Sequence, residues 1–237
     1  MNYFFRFVIV IALIQMVDGA AAASGVLVFG GTGRLGAEIV KVLVIKGEQV
    51  TVFARPSSKR TRLEGMKVSY VTGDVLVEKD VEVALRSKRF RVVIDALAQS
   101  GAGAMFYDTS QKHISKWAAA SGVEQVILHG SVGAGESRSV YPKERWSGLE
   151  AVLMAKDRGE QHLIASGVPY TIIRNFNLVP DGSPATGQAL LYEDQTRVGS
   201  VTRSDLALLT AQCLYNSGCI NKVYHAVDAS IVPSQGR

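Results

Sequence analysis

A glycine-rich segment near the amino end of the chain has the residue types and spacing to hold a diphosphate. Gly30, Gly33 and Gly36 are three residues apart, between a short apolar run and the start of a predicted helix. Glycines let the chain turn sharply and let a pyrophosphate approach its backbone, and the helix start offers free N–H groups. An ordinary glycine turn is the alternative, but the context favours a dinucleotide-binding loop. Its predicted cofactor-binding residues are Gly30, Thr32, Gly33, Arg34, Leu35 and Gly36.

The end of the second predicted strand indicates which dinucleotide fits. An acidic residue there would accept a hydrogen bond from the ribose 2′-hydroxyl of NAD and would repel the 2′-phosphate of NADP. The sequence has Arg55 instead, followed by Ser57, Ser58 and Lys59. A guanidinium offers a planar, charge-assisted fork to a phosphate. We therefore predict NADP(H) as the cofactor, read by Arg55, the alternative being that Arg55 is a plain surface charge.

Strands and helices alternate along the rest of the chain. Short apolar runs are typical of buried parallel strands, and the segments between them have helical periodicity. The pattern predicts an α/β fold, a Rossmann-type doubly wound parallel sheet with helices on both faces. The expected strands are 25–29, 49–54, 67–71, 91–96, 125–129, 168–174 and 223–227, and the expected helices are 34–46, 78–87, 106–120, 145–166 and 204–215. Segment 190–201 is expected to be a small hairpin or irregular, and Ser204 or Thr202 should cap the last helix.

These motifs together resemble the atypical short-chain dehydrogenase/reductase group. The NmrA-like NAD(P)H-binding members and the flavin reductase/biliverdin-IXβ reductase type are the most similar. The matching residues are Gly30–Gly36, Arg55, Gly73–Val75, Ala118–Val123, Ser166–Arg174 and Arg203–Asp205. The resemblance implies that Asp74 faces the adenine with Val75 beside it. It also implies that Ala96, Leu97 and Ala98 pass the ribose and nicotinamide.

The same resemblance defines the candidate catalytic residues. Better-known members of the group use a serine, a tyrosine and a lysine, the last two spaced Tyr-x-x-x-Lys on one helix. Ser131 and Lys156 match the serine and the lysine, but Val152 stands where the tyrosine would be, and Tyr141 lies upstream. Ser131 as a turn residue and Lys156 as a solvated charge are the alternatives. Two functions stay open: hydride transfer to a small aromatic, flavin, quinone or carbonyl-type substrate, or a non-catalytic NADP(H)-binding redox sensor or scaffold.

The first 23 residues have the layout of a signal peptide. Arg6 precedes the apolar run Phe7–Met16, and Ala20–Ala23 supplies small residues for cleavage. We expect residues 1–23 to be removed, leaving residues 24–237 as one NAD(P)-binding domain without a stable membrane span. A secreted or periplasmic location would follow. An uncleaved membrane anchor, or a non-native extension of a cytoplasmic enzyme, is the alternative.

Composition narrows the classes of partner. With 47% hydrophobic and 20% charged residues in 237, the chain is expected to fold around one core. The net charge of +5 comes without a long Lys/Arg run, so no nucleic-acid partner is expected. The resemblance implies a small-molecule substrate. We predict a monomer or homodimer and no metal site. Cys213 and Cys219 would form a disulfide in an exported protein and stay reduced in the cytosol.

Overall fold

The computed structural model describes residues 25–98, 103 and 105–231. The expected leader, residues 1–23, lies outside these described residues. The predicted fold class is confirmed, because eight strands form one sheet in the order β3-β2-β1-β4-β5-β6-β10-β8. The described strands are β1 (Gly25–Phe29), β2 (Val50–Ala54), β3 (Ser69–Thr72), β4 (Phe90–Asp95), β5 (Gln125–Ser131), β6 (Tyr170–Asn175), β7 (Asn177–Leu178), β8 (Leu190–Tyr192), β9 (Ser200–Val201) and β10 (Lys222–Val227).

The helices cover both faces of this sheet. They are α1 (Arg34–Ile45), α2 (Glu78–Arg86), α3 (Met105–Ala120), α4 (Lys143–Ala165) and α5 (Arg203–Cys213). Alternate residues of each strand point to opposite faces. Val26 and Val28 of β1 therefore join the core that lies against α1 and α5, whereas Leu27 and Phe29 join the core against α2, α3 and α4.

Strand β1 is the third of the eight strands in the sheet, at the point where the chain order reverses. It pairs in parallel with β2 on one side and with β4 on the other, with Leu27 opposite both Thr51 and Val93. All five residues of β1 are buried, which explains why the run is apolar throughout. Ligands of doubly wound sheets bind outside the carboxyl ends of the strands at such a switch point. The glycine loop leaves β1 at this place.

The segment 190–201 is not a hairpin. Strand β8 pairs antiparallel with β10 at the sheet edge, and β9 pairs in parallel with β7. The two halves of the segment thus bond to different distant strands. Of the two expected caps for α5, Thr202 is the N-cap, since its hydroxyl accepts a hydrogen bond from the Asp205 N–H.

Cys213 and Cys219 form a disulfide that closes a short loop after α5, with their Cα atoms 5.5 Å apart. Both ends of the loop are tied to the sheet. The Cys213 carbonyl accepts a hydrogen bond from Gln125 Nε2, and the Cys219 carbonyl accepts one from the Thr171 hydroxyl. Within the described residues, we find no helix with the length and apolar character that crossing a membrane requires.

Candidate functional site

The glycine loop has a shape that side chains would prevent. Gly30 has a φ of +77°, in the left-handed region that favours glycine. A β-carbon at Gly30 would lie 2.6 Å from the carbonyl oxygen of Ala96, which directly follows the neighbouring strand β4. The loop closes through a hydrogen bond from the Gly33 N–H to the Gly30 carbonyl at 2.8 Å. The first glycine therefore sets both the turn and its close contact with the end of β4.

The third glycine brings α1 close to the turn. A β-carbon on Gly36 would overlap the carbonyl oxygen of Gly30, whereas one on Gly33 would lie 3.0 Å from that same atom. Gly33 is exposed and Gly36 is buried. Gly36 thus has a packing role, and Gly33 keeps the outer surface of the loop bare.

The amino end of α1 is open to an anion. Gly33 is its N-cap and supplies no side-chain acceptor, and the first turn holds no acidic residue. The first N–H groups of a helix have no partner within the helix, and they lie at the positive end of its dipole. Thr32 is partly buried beside them, while Arg34 is exposed and Leu35 partly buried. This combination of bare backbone and positive potential fits a pyrophosphate.

Basic side chains surround this end of the sheet. Arg55 is exposed directly after β2, in a turn closed by a hydrogen bond from the Ser58 N–H to the Arg55 carbonyl. Arg34 and Arg62 both approach Asp181, at 3.6 and 3.7 Å. Within the described part of the chain, Arg55 forms no ion pair. Its guanidinium is therefore available to an incoming phosphate.

Strand β4 ends in the segment that the resemblance places along the nicotinamide. Ala96 is buried, Leu97 partly buried and Ala98 exposed. The Asp95 carboxylate accepts a hydrogen bond from the Leu97 N–H at 2.8 Å, which holds this turn. Burial raises the pKa of Asp95 to about 6, although the Leu97 bond and the charge of Lys156 oppose the shift. Asp95 was not among the predicted site residues, although an acid at the end of an apolar strand was a signal for it.

Asp74 and Val75 follow β3. The Asp74 carboxylate accepts a hydrogen bond from the Leu76 N–H, and its own N–H donates to Asp80. The Val75 side chain is buried in the core, and its carbonyl bonds to the His113 ring at 2.9 Å. Asp74 is thus the partly exposed residue of the two, and the buried Val75 anchors this segment to the core.

Lys156 lies in a cavity between the sheet and the helices α3 and α4. Its Nζ is 4.8 Å from the centre of the Tyr107 ring. Burial lowers the pKa of Lys156, while the charges of Asp95 and Glu160 oppose that shift. The cavity is also lined by Leu97, which connects it to the segment after β4. Lys156 is therefore not a solvated surface charge.

Ser131 is the last residue of β5 and lies at the same end of the sheet, on the opposite face from Lys156. By strand alternation it shares the face of Ile127, which packs towards α5, whereas Lys156 comes from α4. The Ser131 hydroxyl lies 3.5 Å from the Asn175 carbonyl of β6, at the limit of a hydrogen bond. Ser131 is not among the described residues that line the Lys156 cavity. The structure therefore places Ser131 and Lys156 at the same end of the sheet, but the two side chains do not share a cavity.

A buried ion pair between Glu160 of α4 and Arg174 of β6 lies beside the Lys156 cavity. The Arg174 Nη2 lies 2.6 Å from Glu160 Oε2, and its Nε lies 3.2 Å from both carboxylate oxygens. Arg174 also donates a hydrogen bond to Gln195, which follows β8, at 2.8 Å. Burial raises the pKa of Glu160 against the effect of Arg174. Arg174 lies in a segment that carries the resemblance, but nothing in the sequence predicted its pairing with Glu160.

Comparisons with known proteins agree with this geometry. Residues 30–217 match the model of a family described as NAD(P)H-binding. An uncharacterized chloroplastic protein of Arabidopsis thaliana is 26% identical over 215 residues, a match that covers 80% of this chain and 65% of that protein. The chain therefore spans less than two thirds of the length of this relative.

Two solved structures have the same fold. The anaerobilin reductase ChuY from Escherichia coli O157:H7 superposes with a TM-score of 0.78 at 22% identity, covering 89% of this chain and 100% of that chain. A short-chain dehydrogenase/reductase from Veillonella parvula, in complex with NADP, superposes with a TM-score of 0.70 at 16% identity, covering 87% and 95%. At these identities the likeness concerns the fold, which is that of NAD(P)-binding Rossmann proteins.

Proposed function

This chain belongs to the NAD(P)H-binding family, and from that premise we propose that it is an NADPH-dependent oxidoreductase. Its substrate would be a small aromatic, flavin, quinone or carbonyl-type compound. The observation that carries the proposal is the loop of Gly30, Gly33 and Gly36, where added β-carbons would meet the Gly30 carbonyl or the end of β4. A bare backbone cradle at the switch point of a parallel sheet fits a dinucleotide.

The basic residues around this loop support NADPH over NADH. Arg55 follows β2 where an NAD-binding protein would carry an acid, and Ser58 lies in the same turn. Arg34 lies at the start of α1, next to the phosphate loop. A 2′-phosphate would meet the guanidinium of Arg55, which pairs with no described acid, whereas Arg34 approaches Asp181. When bound, the cofactor supplies a hydride.

The other side chains of the site would bind and orient. We assign to Lys156 the contact with the nicotinamide ribose and to Ser131 the contact with the acceptor, both on the basis of the resemblance. Ala96 and Leu97 would form the wall that the nicotinamide passes, held by the Asp95 carboxylate. Positioning of this kind accounts for most of the catalysis when the acceptor is a flavin or a quinone. The name of ChuY adds a tetrapyrrole to the acceptors worth testing.

A second candidate function is a redox sensor or scaffold that binds NADP(H) without turnover. The observation that favours it is Val152, which leaves α4 without a tyrosine four residues before Lys156. Ser131 lies against the Asn175 carbonyl rather than against Lys156. A domain that only reports on the cofactor needs the phosphate loop and Arg55 but no acid-base pair.

One experiment separates the two functions. The full chain is titrated with NADPH and NADH by protein fluorescence, and NADPH oxidation is then followed with FMN, menadione, biliverdin and an aldehyde. Gly36→Ala serves as the binding-deficient control. Steady oxidation with any acceptor that the control lacks supports the reductase, and tight binding without oxidation supports the sensor. Failure to bind either nucleotide would overturn both.

We also propose export and removal of residues 1–23, with cytoplasmic or membrane-anchored states as the alternatives. The Cys213–Cys219 disulfide supports an oxidising compartment, since such bonds persist there. Amino-terminal sequencing of protein made from the full gene should begin near Ser24. Intact Met1 in a cytosolic fraction would contradict export.

A further inference from the structure

Tyr141 lies close to the candidate site, which its position in the sequence did not predict. A short 3₁₀ helix, Gly135–Val140, follows β5 and turns the chain back before α4 begins. As a result, a β-carbon on Gly133 would lie 2.8 Å from Tyr141 Cδ2 and 2.9 Å from Leu153 Cδ1. Gly133 is two residues after Ser131, and Leu153 is the neighbour of Val152. The Tyr141 ring therefore lies between the end of β5 and the part of α4 where the expected tyrosine is missing.

Two aromatic contacts fix the position of this ring. Tyr141 meets Trp146 edge-on, with ring centres 5.9 Å apart, and meets Phe176 edge-on at 5.6 Å. Phe176 directly follows β6, so the three rings stand over the carboxyl ends of β5 and β6. Tyr141 is only partly buried, and no described residue bonds to its hydroxyl. The phenol is thus held by its ring and free at its oxygen.

On the basis of the proposed reductase function, we propose that Tyr141 donates the proton to the carbonyl oxygen of the acceptor, in place of the tyrosine that α4 lacks. In this step the carbon of a conjugated carbonyl group gains a hydride from NADPH, which becomes NADP⁺. The electron pair of the C=O bond moves to oxygen, and this oxygen takes the phenolic proton of Tyr141. The tyrosinate is then reprotonated by water.

A positive charge lies near the phenol. Burial raises the pKa of Tyr141, and the positive charge of Arg145 opposes this shift. The Arg145 guanidinium lies 5.6 Å from the centre of the Phe176 ring, on the same side of the site. A tyrosinate formed by proton transfer would therefore have a nearby positive charge to stabilise it.

A binding measurement without NADPH tests the phenol directly. In a Trp117→Phe background, Trp146 is the single tryptophan and reports binding of menadione by fluorescence quenching. Tyr141→Phe keeps the ring and removes one hydrogen bond, so menadione should bind about five-fold more weakly. Methylnaphthalene has the same rings without carbonyl oxygens and should bind equally to both proteins. Equal binding of menadione to both would overturn the proposal.

Measurement of kcat is the second part of the test of Tyr141. Tyr141→Phe should lower kcat for menadione about 100-fold or more, with NADPH affinity and melting temperature unchanged, whereas Tyr192→Phe on β8 should leave kcat unchanged. Full activity of Tyr141→Phe, or loss of activity in Tyr107→Phe alone, would overturn the role of Tyr141 while the reductase function stood. A wild type that oxidises no NADPH would instead refute the reductase function, and the binding arm would still decide whether Tyr141 contacts a carbonyl oxygen.

Discussion

Gly36 packs so tightly against Gly30 that a single added β-carbon would occupy the place of the Gly30 carbonyl oxygen. The obstacle is backbone, so it cannot move aside as the end of a flexible side chain could. We predict that Gly36→Ala shifts α1 away from the loop and lowers NADPH affinity at least 100-fold, measured by fluorescence titration. Gly33→Ala, with 3.0 Å to the same oxygen, should have a smaller effect.

Gly148→Ala is the matched control for these variants, because nothing lies within 4 Å of a β-carbon built at Gly148 in α4. It should bind NADPH like the wild type. If Gly36→Ala bound NADPH normally while folded, the glycine loop would not be the cofactor site.

Arg55 should set the preference for NADP over NAD. Charge-assisted hydrogen bonds contribute roughly 1.5–3 kcal/mol, so Arg55→Ala should weaken NADPH binding about 10- to 100-fold and leave NADH almost unaffected. Arg55→Asp should go further, because it repels the phosphate and offers an acceptor to the ribose hydroxyl. Both nucleotides are titrated at one low salt concentration, since salt screens an exposed contact.

Arg89→Ala is the control for loss of one positive charge, because Arg89 comes directly before β4, at the amino ends of the strands, whereas the glycine loop lies at their carboxyl ends. Equal weakening of both nucleotides by Arg55→Ala would show that Arg55 does not read the 2′-phosphate. Ser57, Ser58, Lys59 and Arg34 would then be the next residues to test.

Replacing only one partner of the buried Glu160–Arg174 pair should destabilise the folded protein. Glu160→Gln leaves an unpaired guanidinium in the interior, so the free energy of unfolding should fall by about 3–5 kcal/mol, measured by urea denaturation. Replacing both residues, as in Glu160→Leu with Arg174→Met, should recover much of this loss. Glu82→Gln, which breaks exposed pairs on α2, should change stability by about 1 kcal/mol or less. A loss that small for Glu160→Gln would contradict a buried ionic pair.

His129 should make the protein sensitive to acid. Burial lowers its pKa from 6.5 to about 3, with the charge of Lys156 acting in the same direction. Below pH 6.5 the unfolded chain therefore binds a proton at this residue that the folded protein does not, so stability falls as the pH drops from 6.5 to about 3. In this window, the shift corresponds to several kcal/mol. His129→Gln should flatten the dependence, measured by urea unfolding across the range.

The comparison of wild type with His129→Gln isolates this one residue, because the other titrating groups are present in both proteins. Asp95, with its pKa raised to about 6, acts in the opposite direction between its unfolded value and pH 6. Parallel stability curves for the two proteins would show that His129 is not the acid-sensitive group.

The glycine loop and most element bounds were predictable from the sequence because they depend on local interactions. The turn at Gly30 requires a positive φ, and the apolar run of β1 reflects burial on both faces of a parallel sheet. The NAD(P)H-binding resemblance is confirmed by the family match. The roles of Arg55, Ser131 and Lys156 stay predictions. The sequence by itself thus determined the fold class and the place of the phosphate loop.

The tertiary structure alone decided which distant residues meet. The pairing of β8 with β10, the contact of Glu160 with Arg174 and the return of Tyr141 to Gly133 each depend on how whole elements pack. No local spacing records them, because a side chain meets a residue from another element only after the sheet order and the loop path are set. For the same reason, the sequence showed Asp95 only as an acid at the end of an apolar strand, and its burial near the charge of Lys156 depended on how β4 and α4 pack.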